Sequence, residues 1–406
     1  MSSLGGMTTT QSSAAAPRQE SRPVPAAVSG AYTIEDLRRL AERRLPRAVF
    51  DFYDGGAEEE LTLRANRAAF ERARLAPKVL VDVSYVNTKA TIVGASAELP
   101  IAIAPTGGVG FGWPGGDVAI ARAAAAYGIP YTLSTAATAS IERIARAAPG
   151  RLWFQAYILK PREFTLRLIE RARAADYEAL IVTVDLPVGG KRERDFRNGF
   201  GIPFHFTSRN VFDFASRPGW AFGMLRRGMP VLENLIGFSS DSTSASAIAS
   251  SVGRNYDTSF DWDGLKAIRD AWPRKLLVKG IARVDDAERA AAIGCDGVVV
   301  SNHGGRQLDG AIATLDALPA IARAVGGRIS VLVDGGVRRG VDVVKAIASG
   351  AEAVLIGRAM LYGVSAAGER GAAWALEILR DELIRSMQLC GARTIGEIGA
   401  DLLAPI

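Results

Sequence analysis

Residues 276–306 read LLVKGIARVDDAERAAAIGCDGVVVSNHGGR. An apolar run, Leu276–Gly280, is followed by a stretch with helical apolar spacing, Val284–Ala292, and then by a second apolar run, Gly297–Asn302. Neither run alternates apolar with polar residues, so each reads as a strand buried on both faces, as in a parallel sheet. The unit recurs on both sides. Upstream, Ile101–Thr106 precedes helix Asp117–Tyr127, Tyr131–Thr135 precedes Ser140–Ala148, Leu152–Tyr157 precedes Pro161–Ala174, and Ala179–Asp185 is a fourth strand. Downstream, helix Leu315–Val325 leads to Ile329–Asp334, and helix Gly340–Ala348 leads to Ala353–Gly357. Eight such strands predict an α/β fold of the closed (β/α)8 TIM-barrel class. The alternative is a doubly wound open sheet, disfavoured because no G-x-G-x-x-G opens the first helix. N-terminal helices are expected at Tyr32–Arg43, with Glu35 and Asp36 in the first turn, and after Pro46.

The chain has 406 residues, a length that suits either two to three domains of roughly 150 residues or one large barrel. The barrel reading gives one domain over 31–406, preceded by a Ser-, Ala- and Pro-rich stretch, 1–30, expected to be a disordered tail. That stretch has no apolar core of the secretory type. The uncharged segment Leu99–Gly116 approaches a membrane span in length, but it is rich in Gly and Pro and reads as a strand and loop. Two cysteines, Cys295 and Cys390, are too few for a disulfide framework and point to a reducing, cytoplasmic compartment. Two histidines and two cysteines build no His/Cys metal cluster, so no metal is expected. The net charge of +6 would suit nucleic acid, but the arginines are interleaved with acids and form no long basic run. A solvated surface is the expectation, with no nucleic-acid partner.

Barrel chemistry sits at the C-terminal ends of the strands. Polar residues stand at nearly every one: Thr106, Ser134, Gln155 with Tyr157, Thr183 with Asp185, Lys279, His303 with Arg306, Asp334 and Arg358. Buried strand ends carrying such groups are costly unless the groups are paired or used. The sharpest segment is Ser301-Asn302-His303-Gly304-Gly305-Arg306-Gln307-Leu308-Asp309. A histidine followed by two glycines is open to a ligand, and Arg306 offers a planar fork for a carboxylate. A base beside a carboxylate clamp suits a 2-hydroxy acid. Asp185 is placed to hold a histidine, and Arg192, in KRER, is a second carboxylate contact. Asp334-Gly335-Gly336-Val337-Arg338 and Gly357-Arg358 follow strands seven and eight, where such barrels bind phosphate, and they imply a phosphate-bearing cofactor. Lys279 is suited either to a Schiff base or to a counter-charge beside a reduced flavin.

At these residues the chain resembles the FMN-dependent 2-hydroxy acid oxidase and dehydrogenase family, from Tyr32 to Leu403. SNHGGRQLD (301–309) carries most of the resemblance. APTG (104–107), WPGGD (113–117), LSTA (133–136), LWFQAY (152–157), GGKRERDFRNGF (189–200) and RRGMP (226–230) place it nearest the mandelate-oxidising branch. The resemblance implies FMN as cofactor and oxidation of an (S)-2-hydroxy acid, mandelate-like or lactate-like, to the 2-keto acid. It implies His303 as base, Asp185 holding its imidazolium, Arg306 and Arg192 on the substrate carboxylate, and Tyr157 on the substrate oxygen. Lys279 would balance charge at the flavin N1–O2 edge. Pro105, Thr106, Ser134, Gln155, Thr183 and Ser301 would lie along the flavin, and Asp334, Gly335, Arg338, Gly357 and Arg358 would hold the ribityl phosphate end. A homotetramer is implied as well. The alternatives are an oxidase using O2 and a flavin-binding relative without turnover.

The chain departs from the family at Phe52, where many members carry a tyrosine touching the substrate carboxylate. One lost hydroxyl donor is worth roughly 1 kcal/mol. Ala136, where short-chain oxidases carry a bulky aromatic, leaves room for an aryl substrate, and Gly107 resembles the dehydrogenase side of the family. The long insert after strand four, 186–275, holds Phe204, Phe206, Phe212, Phe214, Trp220 and Phe222 with Arg217, Arg226 and Arg227. Aromatics with arginines suit a membrane interface. The mandelate-oxidising branch docks to membranes through this region, so peripheral contact with the inner face of the cell membrane is one expectation. A lid packed over the barrel or a neighbouring subunit is the other. His205, also in the insert, has no chemical motif beside it and is expected to be a bystander.

Overall fold

The computed structural model describes residues 25–199, 208–238 and 255–405. Eight parallel strands form a closed barrel: β1 (Ile101–Ile103), β2 (Tyr131–Ser134), β3 (Leu152–Ala156), β4 (Ala179–Thr183), β5 (Lys275–Ile281), β6 (Gly297–Val300), β7 (Ser330–Asp334) and β8 (Ala353–Ile356). β8 returns to β1, pairing Val354 with Ile101 and Ile356 with Ile103. The expected (β/α)8 fold is the observed one.

The continuous apolar runs have a direct cause. Side chains alternate across a strand, and here both faces are covered. In β4, Ala179 and Ile181 join Trp153, Leu277, Val299, Leu332 and Leu355 in one cluster inside the barrel. Leu180 and Val182 belong to the larger core between strands and helices. Several runs are shorter as strands than as apolar stretches. Thr106, Tyr157, Asp185 and Asn302 lie just beyond the last paired residues. A side chain that serves a site must leave the ladder, and these are residues that do.

The other end of the barrel is plugged by a small antiparallel hairpin, Ala90–Ile92 with Ala95–Ala97, whose Ile92, Val93 and Ala97 complete the inner cluster. Arg151 ties it down, donating to the carbonyls of Ile92 (2.7 Å) and Ala95 (3.1 Å) while pairing with Glu178 (2.6 Å). The mouth is thereby left as the open end.

Helix Ile34–Arg44 begins with a capping box: Thr33 Oγ1 accepts from the Asp36 N–H at 3.1 Å, and Asp36 accepts from the Thr33 N–H at 3.0 Å. Helix Arg47–Asp54 follows and brings Phe52 and Tyr53 to the mouth. Its last residue, Asp54, is held by Arg38 (2.7 Å), Arg194 (3.1 Å) and the Tyr362 hydroxyl (2.7 Å). Burial opposes ionisation of Asp54, but these donors overcome it and hold the carboxyl well below the usual carboxylate range.

The described part of the insert packs on the mouth. The Trp220 indole N–H donates to the Phe111 carbonyl at 2.7 Å, and Phe214 stacks on Trp220 at 5.2 Å. Asn234 Oδ1 accepts from the Ile141 N–H at 3.0 Å. Phe212, Phe222 and Leu225 of helices Ser208–Ala215 and Pro218–Arg227 are exposed. The insert's aromatics thus divide between a face docked on the barrel and an outward face. Phe204, His205 and Phe206 lie outside the described residues.

Candidate active site at the barrel mouth

The segment 301–309 is ordered by its own residues. Ser301 Oγ accepts from Lys279 Nζ at 2.9 Å and from the His303 N–H at 3.1 Å. The Asn302 amide exchanges hydrogen bonds with the Asn66 amide at 2.8 and 2.9 Å, and its Oδ1 also accepts from the Gly305 N–H at 3.1 Å. His303, Gly304 and Gly305 then run through the left-handed region at φ +58, +64 and +74. At Gly305 a Cβ would stand 2.6 Å from the Leu63 backbone nitrogen, so no other residue fits. Gln307 Oε1 accepts from the Gly190 N–H at 2.7 Å, and Asp309 caps helix Leu61–Arg72 by accepting from the Leu61 and Thr62 N–H groups. The loop is a rigid frame that presents His303 and Arg306.

His303 Nδ1 lies 2.9 Å from Asp185 Oδ1. A carboxylate can only accept, so Nδ1 carries the proton and Nε2 is left as the unprotonated nitrogen. Nε2 faces the Tyr157 hydroxyl at 3.3 Å. Asp185 sits where it does because β5 irregularly shifts register between Lys279 and Ile281, and Gly280 at φ +108 gives it space; a Cβ there would meet Asp185 Cβ at 2.6 Å. Burial would raise the Asp185 pKa, but His303 and Lys279 outweigh it and hold the carboxylate ionised below its usual range. For His303 the balance is reversed. Burial lowers it below the usual 6.5, and Asp185 only partly opposes this, so the resting imidazole is neutral.

Lys279 is buried, with Nζ 3.2 Å from Asp334 Oδ2. Burial alone would lower its pKa, yet Asp334 and Asp185 more than compensate and keep it charged. Among the described residues Asp334 Oδ1 is buried without a hydrogen-bond partner, an unused acceptor. Ser134 Oγ donates to Gln155 Oε1 at 3.1 Å, and Gln155 Nε2 donates to Thr183 Oγ1 at 2.9 Å, a polar chain across the ends of β2, β3 and β4.

A cavity of about 320 Å³ opens among these groups. Pro105, Thr106, Tyr157, Arg192, Lys279, His303, Arg306, Asp334, Gly335, Arg338, Gly357 and Arg358 line it, as do Phe52, Gly107 and Ala136. Arg306 donates through Nη1 to the carbonyls of Phe52 (2.7 Å) and Gly55 (2.9 Å). Burial and the nearby Arg192 and Arg358 push its pKa down, so an anion in the cavity is electrostatically favoured. Arg192 pairs through Nε with Asp195 at 2.8 Å. Arg338 donates to the carbonyl of Val337. Arg358 donates to the carbonyls of Tyr53 (3.0 Å), Gly304 (2.8 Å) and Gly55 (2.8 Å), which clamps the 304 loop to the end of the helix Arg47–Asp54 and leaves two of its five N–H groups uncommitted to these carbonyls at the cavity wall. Tyr53 does not offer its hydroxyl to the cavity, since that group donates to the Gly108 carbonyl at 2.7 Å and accepts from the Gly112 N–H at 2.8 Å.

Asn66, Asp195 and Tyr256 also belong to this site or its support, and sequence reasoning missed them. Asn66 lies in RANRAAF, which reads as a solvated helix face, and the others lie in the insert, away from any strand end. The only available signal was the proximity of Asp195 to Arg192, three residues apart.

The family model described as FMN-dependent dehydrogenase matches residues 41–405. The chain is 44% identical over 372 residues to (S)-mandelate dehydrogenase of Pseudomonas putida, covering 92% of this chain and 93% of that one. It is 42% identical over 370 residues to L-lactate dehydrogenase of Caulobacter sp. (strain K31), covering 91% and 97%. Its fold is similar to the crystal structure of monotopic membrane protein (S)-mandelate dehydrogenase, with a TM-score of 0.89 at 43% identity over 93% of this chain and 100% of that one.

Proposed function

From the chain's membership of the FMN-dependent dehydrogenase family, as an FMN-dependent oxidoreductase acting on 2-hydroxy acids, we propose that it oxidises (S)-mandelate or a similar aryl 2-hydroxy acid with His303 as base. The observation that carries this is the His303–Asp185 pair, at 2.9 Å, opening on a cavity lined by Arg192 and Arg306.

The residues present suit FMN. A ribityl chain has hydroxyl donors, and Asp334 Oδ1 is a buried acceptor without a partner. Lys279 is a buried, charged group suited to the flavin N1–O2 edge. Pro105, Thr106, Ser134, Gln155, Thr183 and Ser301 would lie along the ring system. Gly335, Arg338, Gly357 and Arg358 would hold the phosphate end. FMN, when bound, would accept the two electrons together with the hydrogen that leaves the substrate Cα. His303 Nε2 takes the proton of the 2-hydroxyl, and Asp185 stabilises the imidazolium so formed. Arg306 and Arg192 orient the carboxylate, and Tyr157 donates to the substrate oxygen. Gly107 and Ala136 face each other, a Cβ on Gly107 falling 3.1 Å from Ala136 Cβ. Two small residues at the wall leave room for an aryl group.

The test is anaerobic reduction of the bound flavin by mandelate, 4-hydroxymandelate, lactate and glycolate. Bleaching is expected with the aryl acids first, and without stoichiometric peroxide once air is admitted. No bleaching with any of them would remove the reading.

The outward face of the insert supports peripheral membrane docking of this enzyme, at the inner face of the cell membrane. Phe212, Phe222, Leu225 and Met229 are exposed there, beside Arg226 and Arg227. Among the described residues no helix is long and apolar enough to cross a membrane. Replacing Phe222 and Leu225 by serine is expected to release the protein from anionic vesicles in a flotation assay with turnover unchanged. Equal flotation of variant and parent would refute docking through these helices.

A further inference from the structure

Tyr256 lies in the last part of the insert, just before helix Trp262–Ala271, and is clamped in place by its backbone. It bridges antiparallel to Leu159, flanked by the Lys160 N–H donating to the Asn255 carbonyl (2.8 Å) and the Asp257 N–H donating to the Ile158 carbonyl (2.9 Å). Asp257 is buried, accepts from the Ser259 hydroxyl at 2.6 Å and pairs with Arg162. The Tyr256 ring packs edge-on against Tyr157, centroids 5.5 Å apart at 66°, and lines the same cavity as Arg192, Arg306 and His303. Its hydroxyl has no hydrogen-bond partner among the described residues. Burial and the neighbouring Tyr157 keep the phenol protonated, so it is a donor at any working pH. Elsewhere on the wall, Phe52 offers no hydroxyl; its ring lies 5.3 Å from the Arg306 guanidinium.

A lone donor facing a cavity rich in cations can be satisfied by the anion those cations attract. We propose that Tyr256 is a substrate-binding residue: its hydroxyl donates to the carboxylate of the bound 2-hydroxy acid alongside Arg192. This rests on the reading of the cavity as a 2-hydroxy acid site. The hydroxyl acts on bound ligand and does not take part in proton removal, which His303 performs. It tightens substrate and product alike, an effect seen in KM and not in kcat.

The test is Tyr256→Phe in the FMN-loaded enzyme, which removes one oxygen and keeps the ring against Tyr157. Dissociation constants of benzoylformate and pyruvate are read from the change in flavin absorbance, and reduction by saturating mandelate is followed anaerobically. Both keto acids are expected to bind roughly tenfold more weakly, with the limiting reduction rate within about twofold of the parent. Unchanged binding overturns the proposal. So does weakening of benzoylformate alone, which would mark an aryl contact. A parent enzyme that no 2-hydroxy acid bleaches overturns both this proposal and the reading beneath it.

Discussion

His303→Ala is expected to slow flavin reduction by mandelate by about three orders of magnitude while FMN stays bound. The imidazole is the group held between Asp185 Oδ1 and the Tyr157 hydroxyl, with Nε2 unprotonated toward the cavity. The frame around it does not depend on the ring. Ser301 holds the loop through the His303 backbone N–H, Asn302 through Asn66, and Gly304 through Arg358. The backbone at 303 is left-handed at φ +58, a conformation that asparagine accepts more readily than alanine. His303→Asn therefore serves as a second variant with the same expected loss and less strain. Stopped-flow reduction and the visible flavin spectrum read the two effects separately; a variant reduced within about tenfold of the parent rate would take the role of base from His303. The same imidazole sets the acid limb. Its pKa lies below the usual 6.5 through burial, and in the proposed role of base the active form is the unprotonated one. Thus kcat/KM falls as pH drops through a midpoint below 6.5, and the limb disappears in His303→Asn.

Lys279→Met is expected to destabilise the fold by about 3–5 kcal/mol and to impair flavin reduction. Methionine matches the length of the lysine stem, so packing is nearly conserved. What changes is charge. Asp334 Oδ2 loses the ammonium 3.2 Å away, and Asp334 Oδ1 is already without a partner. A carboxylate left buried and unpaired is among the larger single destabilisations available to a protein. Loss of the cation would also remove the charge proposed for the flavin N1–O2 edge. Urea unfolding of the cofactor-free protein measures the first effect. Lys279→Met/Asp334→Asn is expected to recover most of the lost stability, because neutralising the carboxylate removes the unpaired charge. Parental stability in the single variant would show that the ion pair carries no weight.

The barrel was legible because of its burial. A strand covered on both faces leaves an uninterrupted apolar run, and all eight runs are strands in the structure. Their ends were less legible, since Tyr157 and Asp185 continue an apolar run in sequence but leave the ladder in space. Helix Leu61–Arg72 and the hairpin at Ala90–Ala97 carried no such signal. The helix is rich in arginine, and its N-terminal cap is Asp309, distant in the chain. The hairpin is made of small residues and is fixed by Arg151. Within the site, the residues at strand ends could be read off by position. What their side chains reach was legible only in part: the contact of Asp185 with His303 was expected, and that of Arg358 was not. Arg358 occupies a strand end, yet its long stem carries the guanidinium to three backbone carbonyls. Trp220 and Phe222 share one helix, and a two-residue offset puts one under the insert and the other outside it. Tyr256 belongs to no strand end, and a single backbone bridge to Leu159 decides its place.

The pairing of β8 with β1, Val354 against Ile101, has a bearing on how the chain is made. Translation delivers β1 early, and its free edge then waits until residue 356 has left the ribosome. Through that interval the nascent sheet is open, with unpaired backbone along an apolar strand, the kind of edge that joins wrong partners. The proposed phosphate contacts, Gly335, Arg338 and Gly357, are translated in the same late stretch. Ring closure therefore waits on the last strand of the barrel, and a chain cut off before β8 is expected to expose an open, aggregation-prone sheet edge instead of forming a shorter enzyme.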